Sequence, residues 1–102
     1  MLLRIDTKVD GDALSVKLAG EFDMGAVGNF REAVEGASEP WERAEIDLRD
    51  VVFMDSSGLQ ELVRLNNRAH ERNLEVVLTR PSAPVMRLLE LTGLHSHFTI
   101  RD

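Results

Sequence analysis

The segment Asp47-Leu48-Arg49-Asp50-Val51-Val52-Phe53-Met54-Asp55-Ser56-Ser57-Gly58-Leu59 decides how the rest of the chain is read. Ala44, Ile46 and Leu48 alternate with Glu45, Asp47 and Arg49, the period of two that marks a strand. Val51 to Met54 is a short continuous apolar run, which reads as chain entering the interior. Asp55-Ser56-Ser57-Gly58 then interrupts it with residues that start helices. Beyond it, Leu59, Leu62, Val63, Asn66 and Ala69 fall on one stripe, while Arg64, Arg68 and Glu71 lie elsewhere. That is an amphipathic helix, and Asn73 is its expected stop.

The same alternation of strand and helix extends in both directions. Upstream, Leu3, Ile5 and Val9 mark one strand, and Leu14, Val16 and Leu18 mark a second that ends at Gly20. Asp10-Gly11 between them signals a tight hairpin turn. Val27, Phe30, Val34 and Ala37 recur at helical spacing, weakened by Gly25, Gly28 and Gly36 and broken at Glu39-Pro40. Trp41, the single tryptophan, reads as a packing residue at a loop. Downstream, Leu74 and Val76 to Leu78 form a fourth strand. Ser82 caps a third helix with Pro84 in its first turn, Val85, Leu88 and Leu89 facing inward and Gly93 as its stop. Phe98 and Ile100 suggest a last short strand. The expected order is β-β-α-β-α-β-α-β. This is a single α/β domain over 1–102, with a mixed sheet of four to five strands and helices mainly on one face.

Composition narrows the functional classes. With 102 residues there is room for one core and one domain. The net charge of -6 argues against nucleic acid or an anionic membrane as a bulk electrostatic partner. There are no cysteines, which excludes disulfides, thiolate chemistry and cysteine metal sites. The N-terminus lacks the apolar core of a signal peptide, and no stretch reaches the ~20 apolar residues of a membrane helix. The cytoplasm is the expected location.

The start of the second helix is the candidate site. Ser57 with Gln60 three residues on can form a capping box, and Asp55 can cap the same helix instead. A helix start presents free N–H groups and a positive dipole end, so it can hold a phosphate. A serine there is open to a kinase, and a phosphate would add about -1.5 to -2 charges. Asp55, Glu61 and Asp23 are acidic neighbours against which new charge would act as a release switch. His95-x-His97 is a weak candidate for metal ligation on one strand face, with no third ligand at a familiar spacing, so no metal or cofactor is expected. Arg64 and Arg68 read as solvated helix charges, and Met24 and Met86 as packing or partner-surface residues. No Gly-x-Ser-x-Gly elbow or glycine-rich phosphate loop is present, and the chain is not expected to be an enzyme.

The whole pattern resembles the STAS domain family, above all the bacterial anti-sigma factor antagonists. Three blocks carry the resemblance: Leu18-Ala19-Gly20-Glu21-Phe22-Asp23, the segment from Asp47 to Leu59, and Pro84-Val85-Met86-Arg87-Leu88-Leu89-Glu90-Leu91-Thr92-Gly93-Leu94. The resemblance implies that Ser56 is phosphorylated by an anti-sigma factor that is also a serine kinase. It implies that the unphosphorylated protein binds that partner and frees a sigma factor, and that a metal-dependent serine phosphatase resets it. Asp23 matches the early strand-end aspartate and Asp55 the motif aspartate. Ser57 is expected to cap rather than accept phosphate, and Gly58 to allow close approach of the partner. Asp23, Asp55, Ser57, Gly58, Leu59 and Glu61 are thus the expected partner-binding residues. Many relatives follow Gly-Leu with a small residue and then aliphatic ones. Gln60-Glu61 stands there in this chain, and Glu61 is expected to be exposed at the partner-facing edge. An alternative within the same family is a regulatory subunit that never meets a kinase, seated on a lipid transporter ATPase or in a stress-sensing scaffold.

Overall fold

Five strands and three helices follow one another in the expected order in the structure, a computed structural model that describes residues 2–37 and 40–102. Strands β1 (Arg4–Asp10) and β2 (Ala13–Phe22) form an antiparallel hairpin turned by Gly11 at φ +63°. Helix α1 (Val27–Glu35) follows a short 3-10 turn, Met24–Ala26. It ends one residue before Gly36, short of the expected Ala37. Glu39, half of the expected break, lies outside the described residues. Then come β3 (Arg43–Met54), α2 (Ser56–Glu71), β4 (Glu75–Thr79), α3 (Ala83–Thr92) and β5 (Thr99–Arg101). Sheet order is β1-β2-β3-β4-β5, with every pair after the first parallel. Parallel neighbours need crossovers, and α1, α2 and α3 supply them.

The core lies between the sheet and the helices. Leu14, Val16, Leu18 and Phe22 of β2 are fully buried, as are Ala44, Ile46 and Leu48 of β3. They form one cluster with Phe30 and Val34 of α1, Leu59, Leu62, Leu65 and Ala69 of α2, and Val85 and Leu89 of α3. Ser15 and Lys17, which alternate with the buried residues of β2, are exposed. One face of the sheet therefore carries the helices, and the other is polar. On that polar face Asp47 is held by Arg80 (Nη2 to Oδ2, 2.8 Å) and by the backbone N–H of Arg49 (3.0 Å).

Three expectations about local structure are corrected. Gly20 does not end β2, which runs on to Phe22. It stands at φ +113°, with the Leu2 backbone where a side chain would go. Val51 to Met54 is not a separate entry into the interior but the end of β3. Between Lys17 and Ala19 β2 advances two residues while β3 advances three, Asp47 to Asp50. Between Gly20 and Glu21 it advances one while β3 advances two, Val51 to Phe53. The two extra residues are bulges, and bulging re-aims side chains. Val51 and Met54 consequently stay on the core face, while Val52 and Phe53 are 60% and 46% exposed. Ser82 sits at the N-cap of α3 but does not cap it, because its hydroxyl donates to the carbonyl of Val51 at 2.6 Å.

Most of the expected helix stops are where the residues allow them. Asn73 follows α2 at φ +60°, and its N–H donates to the His70 carbonyl at 3.1 Å. Gly93 closes α3 at φ +73°. His95 and His97 lie on a 3-10 turn (Leu94–His97), not on a strand face. Trp41 is half-buried against the core beside a loop. No described helix is long and apolar enough to cross a membrane.

Candidate functional site

The parallel strands β2 and β3 end side by side, with Phe22 opposite Met54. The next residue on each strand is an aspartate, Asp23 after β2 and Asp55 after β3. The N–H of Asp55 donates to the Phe22 carbonyl at 3.4 Å, which fixes the two strand ends together. Asp23 and Asp55 are therefore brought to one edge, at the carboxyl ends of parallel strands where open α/β sheets place their sites.

Asp55 is the cap of α2. Its backbone is extended (φ -104°, ψ -174°), and its Oδ1 accepts the N–H groups of Ser57 (2.9 Å) and Gly58 (3.2 Å). This settles the choice between the two capping schemes in favour of the aspartate. Ser57 is not a cap: it lies inside the first turn. Both serine hydroxyls are thus free of the capping task. Ser56 is exposed and Ser57 is half-buried. One residue on an α-helix is a turn of about 100°, so the two serines present to different sides. Ser57 shares its stripe with Glu61 and Arg64, four and seven residues on, and faces α1.

Gly58 and Leu59 do not form the outer surface. Leu59 is buried in the core at 4% exposure. Gly58 is buried as well, and the close approach it permits is from within the chain. A Cβ there would meet the Phe22 carbonyl and lie 3.0 Å from the Phe22 ring. The Phe22 ring packs against Phe30 of α1, centroids 4.9 Å apart. The glycine thus lets α2 press onto the end of β2.

Glu61 is the largest departure from expectation. It is not exposed but buried, at 3%. Arg31 of α1 donates to it through Nη2 (2.8 Å) and Nε (3.4 Å), and Arg64 through Nη2 (2.8 Å) and Nε (3.0 Å). Arg64 also reaches Glu35 (2.8 Å), and Arg68 lies 3.5 Å from the same carboxylate. Burial pushes the Glu61 carboxyl up, but the hydrogen bonds and charges of Arg64 and Arg31 outweigh this and hold it below the usual carboxylate range. Glu61 in turn raises Arg31 and Arg64 above the usual guanidinium range. Arg64 and Arg68 are therefore not simply solvated charges. They belong to an ion-pair cluster that joins α1 to α2 beneath Ser57. Sequence reading missed this cluster because Arg31 lies 30 residues from Glu61. The local signals were the Glu61–Arg64 spacing of three and the Arg31–Glu35 spacing of four.

Among the described residues, no group of three or more histidines, cysteines or acids is placed to hold a metal. The exposed surface at the site includes Ser56, Gln60 and the projecting Met24, with Asp23, Asp55 and Ser57 half-buried between them. That surface mixes hydroxyl, amide and thioether side chains around two carboxylates.

Comparison with known proteins gives one consistent result. A family model described as Mlab, STAS domain, matches residues 5–101. A STAS-domain containing protein of Pseudomonas aeruginosa is 33% identical over 91 residues, covering 89% of this chain and 90% of the relative. The anti-sigma-B factor antagonist of Bacillus subtilis is 30% identical over 94 residues, covering 92% of this chain and 86% of the relative. Among solved structures, the Bacillus cell fate determinant SpoIIAA in its phosphorylated form superposes with a TM-score of 0.75 at 20% identity. That alignment covers 95% of this chain and 90% of the other.

Proposed function

The chain belongs to the STAS domain family, and we propose that this member is an anti-sigma factor antagonist whose binding is switched off by phosphorylation of Ser56. The observation that carries the reading is the division of labour at the start of α2. Asp55 makes the capping bonds, so the exposed Ser56 hydroxyl is not needed by the fold and can be modified without unmaking it. Support also comes from a relative named as an anti-sigma-B factor antagonist and a structural neighbour solved in a phosphorylated form.

In this reading the partner is an anti-sigma factor with serine kinase activity, and a metal-dependent serine phosphatase resets the switch in the cytoplasm. The partner docks over Asp23, Asp55, Ser56 and Ser57. Gly58, Leu59 and Glu61 shape that surface from beneath. A phosphate at Ser56 would sit beside two carboxylates, Asp23 and Asp55, and the added charge of about -1.5 to -2 would repel an acidic or desolvated partner surface. The protein itself performs no chemistry.

The test is to incubate the chain with its cognate anti-sigma factor kinase and ATP, and to map the product by mass spectrometry. Phosphate on Ser56 is expected. Ser56→Ala should block it and keep binding, and Ser56→Asp should weaken binding. Phosphate found only on Ser57 would refute the assignment. A chain that neither binds this partner nor takes phosphate on either serine would favour a regulatory subunit that never meets a kinase.

A further inference from the structure

Beside Ser57 an open groove of about 560 Å³ runs between the starts of α1 and α2. Met24, Val27, Gly28 and Arg31 line one side, and Ser57 and Gln60 the other. We propose that this groove receives a loop of the anti-sigma factor carrying a carboxylate beside an apolar side chain, an inference that rests on the reading of the chain as an anti-sigma factor antagonist.

Three observations identify the occupant. Gly28 lies in the first turn of α1 and is exposed, and a Cβ there would meet nothing within 4 Å. Neither packing nor a positive φ demands glycine at this position. Glycine is a poorer helix former than alanine. The fold therefore gains nothing from Gly28, but the groove does: any side chain would rise into it. Met24 is 74% exposed at the mouth, a flexible apolar side chain of the kind that adapts to a partner.

The third observation is charge. The groove's lining holds two guanidiniums (Arg31, Arg64) and one carboxylate (Glu61) in a chain of net charge -6, and Arg64 is also paired with Glu35 outside the lining. Glu61 is buried, whereas the Arg31 side chain is 47% exposed. Arg31 uses Nε and Nη2 on Glu61, which leaves Nη1 for a group from outside. An incoming carboxylate would pair with the open side of Arg31 in a geometry that guanidinium favours.

The test uses titration calorimetry with the purified cognate anti-sigma factor, with thermal unfolding of each variant in parallel. Gly28→Leu fills the groove and Met24→Ser removes its apolar lip, and neither touches the core. Both should retain the wild-type melting temperature and weaken binding at least about fivefold. Arg31→Gln should weaken binding to a similar degree and flatten its dependence on salt. Gly28→Leu and Met24→Ser binding within about fivefold of wild type, or Arg31→Gln keeping the full salt dependence, would overturn the inference while leaving the antagonist reading intact. A wild-type chain that does not bind the anti-sigma factor would overturn both.

Discussion

Arg31 of α1 and Glu61 of α2, 30 residues apart in sequence, meet as an ion pair of 2.8 Å in which the carboxylate is almost wholly buried. A buried carboxylate is unfavourable unless its oxygens are satisfied, and here two guanidiniums satisfy both. Removing an arginine leaves that buried carboxylate under-satisfied, whereas removing Glu61 leaves guanidiniums that water can reach, so Arg64→Ala should cost at least as much as Glu61→Ala. Glu61→Ala is expected to destabilise the fold by roughly 1–3 kcal/mol, discounted for the partial exposure of the arginines. The sign of the pH dependence follows from the direction of the shift. The folded carboxyl titrates below its unfolded value, so its contribution is present above the unfolded range near 4.3 and is lost as pH falls through the folded value. Urea midpoints of wild type and Glu61→Gln, measured from pH 7 to pH 3, should converge toward the acid end.

A second prediction separates the roles of Asp55 and Ser57. Asp55 accepts two backbone N–H groups, and the Ser57 hydroxyl accepts none of the orphan donors of α2. Asp55→Ala should cost about 1 kcal/mol, within the usual range for losing a cap. Ser57→Ala should change stability by less than about 0.5 kcal/mol. Equal losses in chemical denaturation would show that the serine caps after all.

Gly58 supplies a third. Its position under Phe22 leaves no space for a methyl group, since the carbonyl of Phe22 and its ring both stand in the way. Gly58→Ala should destabilise by about 1–3 kcal/mol through overpacking, although alanine is the better helix former. The same change at Gly28, where a Cβ would find open space, should be neutral or mildly stabilising. Thermal unfolding of the two single variants decides the contrast.

Much of this architecture was readable from residue patterns, and the reasons are physical. The alternation at Leu14-Val16-Leu18 and Ala44-Ile46-Leu48 states which face each strand buries, and the structure buries those faces. The stripe through Leu59, Leu62 and Ala69 does the same for α2. At the site, the capping chemistry of Asp55-Ser56-Ser57-Gly58 placed the helix start correctly, but two caps fitted the sequence and only geometry chose between them. Glu61 was misread because a glutamate beside a glutamine looks solvated, and its main partner belongs to another helix. Arrangements that depend on a residue from a distant segment, or on a shift in strand register, leave no periodic trace.

The bulged end of β3 gives the last prediction. Val51, Val52, Phe53 and Met54 are alike in polarity, so an unbroken apolar run suggests four buried residues. The structure buries the outer two at 1% and 6% exposure and leaves Val52 and Phe53 outside. The cause is the pair of extra residues in β3 relative to β2, which returns Met54 to the core opposite Phe22 and turns Phe53 toward the open face opposite Glu21. With this register, stability should not follow hydrophobicity along the run. Met54→Ala should cost about 2–5 kcal/mol, as for a buried large-to-small change. Val52→Thr and Phe53→Thr keep strand-forming side chains and should cost about 1 kcal/mol or less. Chemical denaturation of the three variants tests the register directly: a loss at Val52 as large as that at Met54 would mean that the bulges are misplaced. Since β3 leads straight into Asp55, such a result would also displace the cap and the serine behind it.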